Sequence, residues 1–252
     1  MIKAILFDLD GVLVQTEKLK ALAYAKTIQR IRGLPSPDYN ASEAYREVVG
    51  APREVTSTHV MKKMGLEEEL RALMTKYEVA TPQDVLTAVR YEIYYEMVGN
   101  PQVIRDNQWP ATVDVLKVAK EKGYLTGLVT LSKRKDVMHV INSLNLKALL
   151  DVVITAEDVT KGKPDPQIYL LAAQKLGIPP KECLVLEDTV NGIKSGLAAG
   201  MSVVAIATPF TKASIFASKI IEKAWIVQEP DKVEKVVQKR IQEHNRIAHQ
   251  TR

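Results

Sequence analysis

The stretch Ile5-Leu6-Phe7-Asp8-Leu9-Asp10-Gly11-Val12-Leu13 limits the fold of this chain more than any other. Its three leading apolar residues predict a short buried strand that runs out into a turn at Gly11. The turn carries two carboxylates, Asp8 and Asp10, two residues apart. In phosphoryl transfer one carboxylate can attack phosphorus and bind a metal ion while the other handles the leaving-group proton. An Asp at a strand end is also a common turn former, so the stretch alone leaves both interpretations open.

A second apolar run, Leu184-Val185-Leu186, ends in the adjacent acids Glu187 and Asp188 and is followed by a glycine-bearing turn into a helix. Carboxylate oxygens at two strand ends are the ligands that Mg²⁺ prefers in proteins. We therefore expect Asp8, Asp10, Glu187 and Asp188 to converge on a magnesium site.

Two further polar residues stand at predicted strand ends or loops. The strand Leu125 to Val129 ends at Thr130, and Lys163 is flanked by Gly162 and Pro164. A lysine here would offset the repulsion among the acids and neutralise an incoming phosphate, together with the metal ion. Ligands of open parallel sheets collect outside the carboxyl ends of the strands, so we expect all these residues at one edge.

The order of the predicted elements indicates an α/β fold with an insertion. From Pro110 onward helices and strands alternate, which is typical of a parallel sheet covered by helices. Residues 16–99 contain several helical segments and no convincing strand. We therefore predict a three-layer, Rossmann-like core formed by residues 1–15 and 100–252, with an all-α cap domain formed by residues 16–99. The remaining predicted strands are Val152–Ile154, Cys183–Leu186, Val203–Ile206 and Trp225–Val227.

Two helix starts in the cap can be predicted from the residues that begin them. Asn40 with Glu43 resembles a capping box. Thr81 with Pro82 and Asp84 gives a cap residue, a first-turn proline and an acid near the positive end of the helix dipole.

Composition excludes several classes of protein. A chain of 252 residues with 46% hydrophobic content can bury a full core, which excludes a disordered protein. The single cysteine, Cys183, lies in a predicted strand, and the N-terminus starts a core strand instead of a signal sequence, so we expect a cytoplasmic protein. No apolar stretch approaches the roughly 20 residues that span a bilayer, so no membrane partner is expected.

The net charge of +5 and a pI near 9.1 do not indicate a nucleic-acid partner, because the basic residues are dispersed among acids. The densest basic region, Lys232 to Arg252, predicts a terminal helix docked on the core through its apolar face. That face consists of Val233, Val236, Val237, Ile241 and Ile247.

Together the motifs resemble those of the haloacid dehalogenase superfamily, whose members are mostly phosphate-ester hydrolases. Asp8 to Val12 is similar to its first motif, Thr130 to its second and Lys163-Pro164 to its third. Glu187-Asp188 resembles the fourth, together with Gly192, Gly196, Gly200 and Met201. The likeness is to members with a helical cap, such as β-phosphoglucomutase and phosphoglycolate phosphatase. Two positions depart from that pattern: Gln15 stands where Asp is common, and Leu131 where Asn is frequent.

The resemblance implies a magnesium-dependent phosphatase with an aspartyl-phosphate intermediate. Asp8 would be the nucleophile and a metal ligand, and Asp10 the general acid and base. Thr130 would donate its hydroxyl to a phosphoryl oxygen, aided by backbone N–H groups that include that of Leu131. Lys163 completes the catalytic set.

The cap would supply the residues that select the substrate. Gly50-Ala51-Pro52-Arg53 resembles the segment whose arginine binds the second phosphate in β-phosphoglucomutase-like members, and Arg90 is a further candidate. The expected substrate is a small phosphorylated metabolite, and the expected assembly is a monomer or homodimer.

Four alternatives remain. A haloacid dehalogenase is disfavoured by Asp10, and a phosphonoacetaldehyde hydrolase would need a Schiff-base lysine, for which Lys18 and Lys20 lack the expected surroundings. A β-phosphoglucomutase-like phosphomutase shares the motifs and differs only in the acceptor. A non-catalytic binding protein is disfavoured by the complete set of catalytic residue types.

Overall fold

The computed structural model describes residues 1–250, apart from the side chain of His249, and the last two residues of the predicted terminal helix lie outside this range. The chain divides into two compact units. One contains Met1–Gln15 and the residues from Ile104 onward, and the other contains Thr16–Val103. The first holds the sheet, and the second is helical.

A six-stranded sheet forms the centre of the first unit. The strands are β1 (Ala4–Phe7), β2 (Leu125–Val129), β3 (Val152–Ile154), β4 (Cys183–Glu187), β5 (Ser202–Ile206) and β6 (Ile226–Val227). All neighbouring strands are parallel, in the order β3-β2-β1-β4-β5-β6. Their apolar runs are buried on both faces, as expected for a parallel sheet between helices. The predicted parallel sheet is therefore confirmed.

Helices cover both faces of the sheet. On one face, α7 (Pro110–Glu121) contacts β2, and α12 (Val233–Gln250) contacts β5 and β6. On the other face, α9 (Gln167–Leu176) contacts β2 and β3, and α10 (Val190–Ala198) contacts β5. The remaining helices of this unit are α8 (Arg134–Ser143) and α11 (Lys212–Ser218). Three layers result, which confirms the Rossmann-like fold class.

The helical unit contains α1 (Thr16–Arg32), α2 (Asn40–Arg46), α3 (Arg53–Met64), α4 (Glu67–Tyr77) and α5 (Pro82–Val98). A short helix, α6 (Pro101–Asp106), crosses the boundary at Val103. The unit has its own apolar centre, because α5 contacts α1, α3 and α4. Val85, Leu86 and Val89 of α5 are buried, with exposed fractions of at most 1%, so they lie on the packing face of this helix.

The two predicted helix starts have different outcomes. Thr81 is the N-cap of α5 and accepts a hydrogen bond from the backbone N–H of Asp84, so that prediction is confirmed. The capping box at Asn40 is wrong. Tyr39 occupies the N-cap position without a side-chain bond, and the Asp38 carboxylate instead accepts the Asn40 N–H at 3.1 Å. Asp38 therefore takes the backbone N–H of Asn40 that the Glu43 side chain would accept in a capping box.

The terminal helix docks through part of its predicted apolar face. Val233, Val237 and Ile241 are buried, but Ile247 is 46% exposed, so its assignment to the docked face is wrong. Among the helix residues whose side chains are described, the last buried one is Ile241, so the docked face covers only the first half of the helix. Among residues 1–250, no helix combines the length and the hydropathy needed to cross a membrane.

The single cysteine is a core residue. Cys183 is fully buried at the start of β4. Burial, and then the charge of Glu182, raise the pKa of its thiol to about 12. The thiol therefore stays protonated and unreactive.

Candidate active site

The sheet brings the predicted acids together at its switch point, between β1 and β4, where the strand order reverses. Asp8 directly follows β1, Glu187 is the last residue of β4, and Asp188 follows it. The two strands are neighbours, and the Asp8 N–H donates to the Leu186 carbonyl at 3.0 Å. One carboxylate oxygen from each of the three acids lies within 4.8 Å of the others, and all three side chains are buried.

Lys163 lies among these carboxylates. Its Nζ donates to Asp8 Oδ1 at 2.7 Å, to Glu187 Oε1 at 2.5 Å and to the Val129 carbonyl at 3.1 Å. The side chain is only 6% exposed. The third predicted motif therefore reaches the first and the fourth, and all three hydrogens of the ammonium group are used.

Tyr169, in the first turn of α9, was not predicted from the sequence. Its side chain is fully buried, and its hydroxyl donates to Glu187 Oε1 at 2.6 Å. Burial raises the pKa of Tyr169 well above its ordinary value, and Glu187 and Asp8 add to the effect. The hydroxyl therefore remains a donor. The available signal was its position six residues after Lys163, on the helix that the lysine motif opens.

The charges of the cluster do not balance. The site holds three buried carboxylates and one ammonium group. Burial raises the pKa of Asp8 to about 8; Lys163 opposes this rise, while Glu187 and Asp10 add to it. Burial acts to lower the pKa of Lys163, but Asp8 and Glu187 outweigh it, so Lys163 stays charged.

The excess of negative charge, made of hard oxygen ligands, fits a divalent cation. Such an ion would take the place of the proton that burial otherwise favours on Asp8. Asp8, Glu187 and Asp188 are the residues that can hold it. Three of the four acids that we predicted as metal ligands thus lie together in a site that can hold a divalent cation.

Two glycines make room for the carboxylates. A Cβ at Gly11 would lie 2.0 Å from Asp188 Oδ2, and a Cβ at Gly192 would lie 2.0 Å from the Glu187 carboxyl carbon. No side chain other than hydrogen fits at either position. Both glycines belong to stretches that the sequence analysis identified. Glycine is needed at these positions because a carboxylate approaches the backbone closely, and this approach is visible only in the fold.

The fourth acid, Asp10, is not part of the three-carboxylate cluster. Its Oδ2 accepts a hydrogen bond from the hydroxyl of Ser132, a residue that the sequence reasoning missed. Ser132 lies two residues after Thr130, in the segment that follows strand β2. The structure therefore separates the two aspartates of the first motif into different surroundings.

Thr130 and Leu131 follow β2 at the same edge of the sheet. Thr130 is 1% exposed, and its hydroxyl accepts the Ser132 N–H at 3.1 Å. Leu131 is 40% exposed, and its side chain covers Gly162 so closely that a Cβ there would lie 3.1 Å from Leu131 Cδ1. The leucine thus packs on the loop that presents Lys163.

Arg53 and Arg90 lie in the helical unit, each with its guanidinium group over the ring of Tyr91. The Arg90 guanidinium carbon is 3.9 Å from the centroid of Tyr91, and that of Arg53 is 5.3 Å away. Arg90 is 7% exposed. The other arginines of this unit are each in a salt bridge with a glutamate: Arg30, Arg32, Arg46 and Arg71.

Comparison with known proteins agrees with the motifs. Residues 2–200 match the model of the haloacid dehalogenase-like hydrolase family. The chain is 31% identical to hexitol phosphatase A of Escherichia coli, over 82% of this chain and 84% of that protein. It is 30% identical to validoxylamine A 7′-phosphate phosphatase of Streptomyces hygroscopicus subsp. limoneus, over 89% and 97%.

Among solved structures, the fold is similar to that of β-phosphoglucomutase from Clostridium difficile. The TM-score is 0.68 at 20% identity, and the match covers 97% of this chain and 99% of that one. The chain belongs to the haloacid dehalogenase-like hydrolase family. The predicted family is confirmed, and with it the prediction that the protein is a hydrolase.

The close approach at Gly192 gives the first prediction. Gly192→Ala places a methyl group on the Glu187 carboxylate, so we expect a loss of about 1–3 kcal/mol in the free energy of unfolding, despite the better helix propensity of alanine. Glu187→Ala removes the clash, so the two changes should be strongly coupled in a double-mutant cycle followed by urea denaturation.

Gly196→Ala is the matched control, because it makes the same change in the same helix but meets Val203 Cγ2 at 3.0 Å and no carboxylate. Its effect should be independent of Glu187→Ala. A Gly192→Ala protein as stable as the wild type would contradict the close packing described for Glu187.

Proposed function

We propose that the protein is a magnesium-dependent phosphatase that hydrolyses a phosphate monoester of a small metabolite through a phosphate ester of Asp8. The observation that carries this proposal is the buried cluster at the switch point, in which Asp8 shares Lys163 with Glu187 beside Asp188. The family assignment supports the same reaction class. A cytoplasmic location and a monomeric or homodimeric assembly remain expectations.

In the first step an Asp8 carboxylate oxygen would attack phosphorus, and the bond from phosphorus to the ester oxygen would break. Asp10 would give a proton to the leaving oxygen, so that an alcohol departs. In the second step Asp10 would take a proton from water, whose oxygen attacks phosphorus and releases phosphate and the Asp8 carboxylate. The separate surroundings of the two aspartates support this division, because Asp10 is bonded to Ser132 and lies outside the Lys163 cluster.

Other residues at the same sheet edge would bind the phosphoryl group. Lys163 would neutralise charge on its oxygens, and the Thr130 hydroxyl and the Leu131 N–H would donate to them. When bound at Asp8, Glu187 and Asp188, with Asp10 as a further proposed ligand, Mg²⁺ would supply additional charge neutralisation. The buried position of the cluster strengthens each of these interactions relative to water.

A panel of phosphorylated metabolites tests the function and the metal requirement together. We expect phosphate release with Mg²⁺, and loss of at least 95% of it in excess EDTA, with recovery when Mg²⁺ is restored, because three buried carboxylates repel phosphate unless a cation offsets them. Each substrate is run with and without a bisphosphate activator. Isomerised sugar phosphate without free phosphate would identify a phosphomutase instead, and full turnover in EDTA would contradict the metal requirement.

Substitutions of the two aspartates separate their roles. Asp8→Asn should reduce turnover by at least about a thousandfold, because an amide cannot form the covalent intermediate. Asp10→Asn keeps the nucleophile, so it should accept a phosphoryl group and release it slowly. Acid quench followed by intact-protein mass spectrometry detects the added phosphoryl group. A phosphorylated Asp8→Asn protein would contradict the assignment of the nucleophile.

The two unpaired arginines of the helical unit are proposed to bind a second anionic group of the substrate. Four of the six arginines in residues 16–103 are neutralised by glutamates, whereas Arg53 and Arg90 are held on the face of Tyr91. A buried cation such as Arg90 costs free energy unless an anion compensates it. The guanidinium geometry suits a phosphate or carboxylate.

This role predicts a difference between substrates. Arg53→Ala should lower kcat/KM about ten- to a hundredfold for a phosphorylated metabolite with a second anion, since a charge-assisted hydrogen bond of roughly 1.5–3 kcal/mol is lost. With p-nitrophenyl phosphate, which lacks that anion, the change should be less than about twofold. Arg71→Ala, which breaks an exposed pair with Glu67 in the same unit, is the control. Equal losses on both substrates would assign Arg53 to the fold.

A further inference from the structure

The N–H groups of Lys163 are all used within the protein, which affects how the lysine could bind a substrate. An ammonium group has three hydrogens, and those of Lys163 are directed at Asp8, Glu187 and the Val129 carbonyl. None is left for a phosphoryl oxygen. Lys163 must therefore release one of these acceptors before it can contact phosphate.

Of these three acceptors, Glu187 has a second hydrogen-bond donor that can take the place of Lys163. Its Oε1 accepts from Lys163 and also from the Tyr169 hydroxyl, and its Oε2 accepts from the Asp188 N–H at 3.1 Å and the Thr189 hydroxyl at 3.4 Å. Gly192 closes the space on the other side, so the carboxylate cannot turn away. If Lys163 leaves, Oε1 still has a hydrogen bond. A buried carboxylate oxygen that lost its only donor would instead hold the lysine in place.

Building on the function proposed above, we propose that Tyr169 is a positioning residue that holds Glu187 and thereby frees Lys163 to bind the phosphoryl group. Tyr169 does not touch the substrate. Its ring lies 5.1 Å from Lys163 Nζ, within the range of a cation–π interaction, so the ring also guides the ammonium group as its hydrogen bonds change.

Tyr169→Phe tests this role because it removes the hydroxyl and keeps the buried ring. Without the hydroxyl, Lys163 is the remaining donor to Glu187 Oε1 and stays there. We expect the affinity for inorganic phosphate at saturating Mg²⁺, measured by isothermal titration calorimetry, to fall at least tenfold. The loss of a partner that orients a metal ligand typically costs 10- to 100-fold, so the midpoint of Mg²⁺ binding should also move to higher concentration.

A double variant distinguishes positioning from a structural role. Lys163→Met removes the group through which Tyr169 is proposed to act, so Tyr169→Phe should change phosphate affinity less than twofold in that background. Lys163→Gln serves if the methionine variant does not fold. Tyr124→Phe is the control, because it makes the same change in the same unit without a hydrogen bond to the cluster, and it should match the wild type.

Two results would overturn the role of Tyr169. One is wild-type phosphate affinity in Tyr169→Phe, whatever its melting temperature. The other is an unchanged Tyr169→Phe effect in the Lys163→Met background, which would mean that the hydroxyl acts without the lysine. Phosphate affinity is measured without turnover. It therefore decides the role of Tyr169 even if the wild-type protein hydrolyses no ester of the panel, which would count against the proposed function alone.

Discussion

The buried group of Asp8, Glu187 and Asp188 around Lys163 is the constraint on which the rest of the site depends. Three carboxylates and one ammonium group leave excess negative charge in a buried place. Burial, and to a smaller extent the neighbouring acids, raise the pKa of Asp8 to about 8 against the opposing effect of Lys163. Such a cluster is stable only if its partners are fixed, because an uncompensated buried charge is costly. The surrounding elements supply those partners: β1 and β4 set the spacing of the acids, and the segment before α9 delivers the lysine.

The close packing around the acids follows from the same constraint. Gly11 and Gly192 let backbone approach Asp188 and Glu187 to a distance that no Cβ permits. Every oxygen of Glu187 has donors, and one of them is the hydroxyl of Tyr169. A carboxylate held in this way is a rigid ligand, so it needs little rearrangement when it binds a cation. The site is therefore a property of the sheet edge as a whole and of the glycines behind it.

The helical unit handles charge differently. Four of its arginines are neutralised by glutamates at its surface, whereas Arg53 and Arg90 lie on Tyr91 and form no salt bridge with a residue of the described part of the chain. Stacking on an aromatic ring holds a guanidinium in a fixed plane but leaves its charge available. The proposed binding of a second substrate anion rests on this difference between Arg53, Arg90 and the other arginines of the unit.

The sequence by itself determined the parallel sheet and the acids at its edge, because short apolar runs alternating with helical segments admit few other structures, and the runs Ile5–Phe7 and Leu184–Leu186 end directly in acids. It also determined the α5 start at Thr81, which depends on neighbours in the chain. Only the tertiary structure decided that Tyr169 meets Glu187, that Ser132 meets Asp10, and that Ile247 remains exposed. These contacts depend on how each helix is rotated and how far it extends over the sheet. Packing between distant segments fixes both, and no local pattern encodes them.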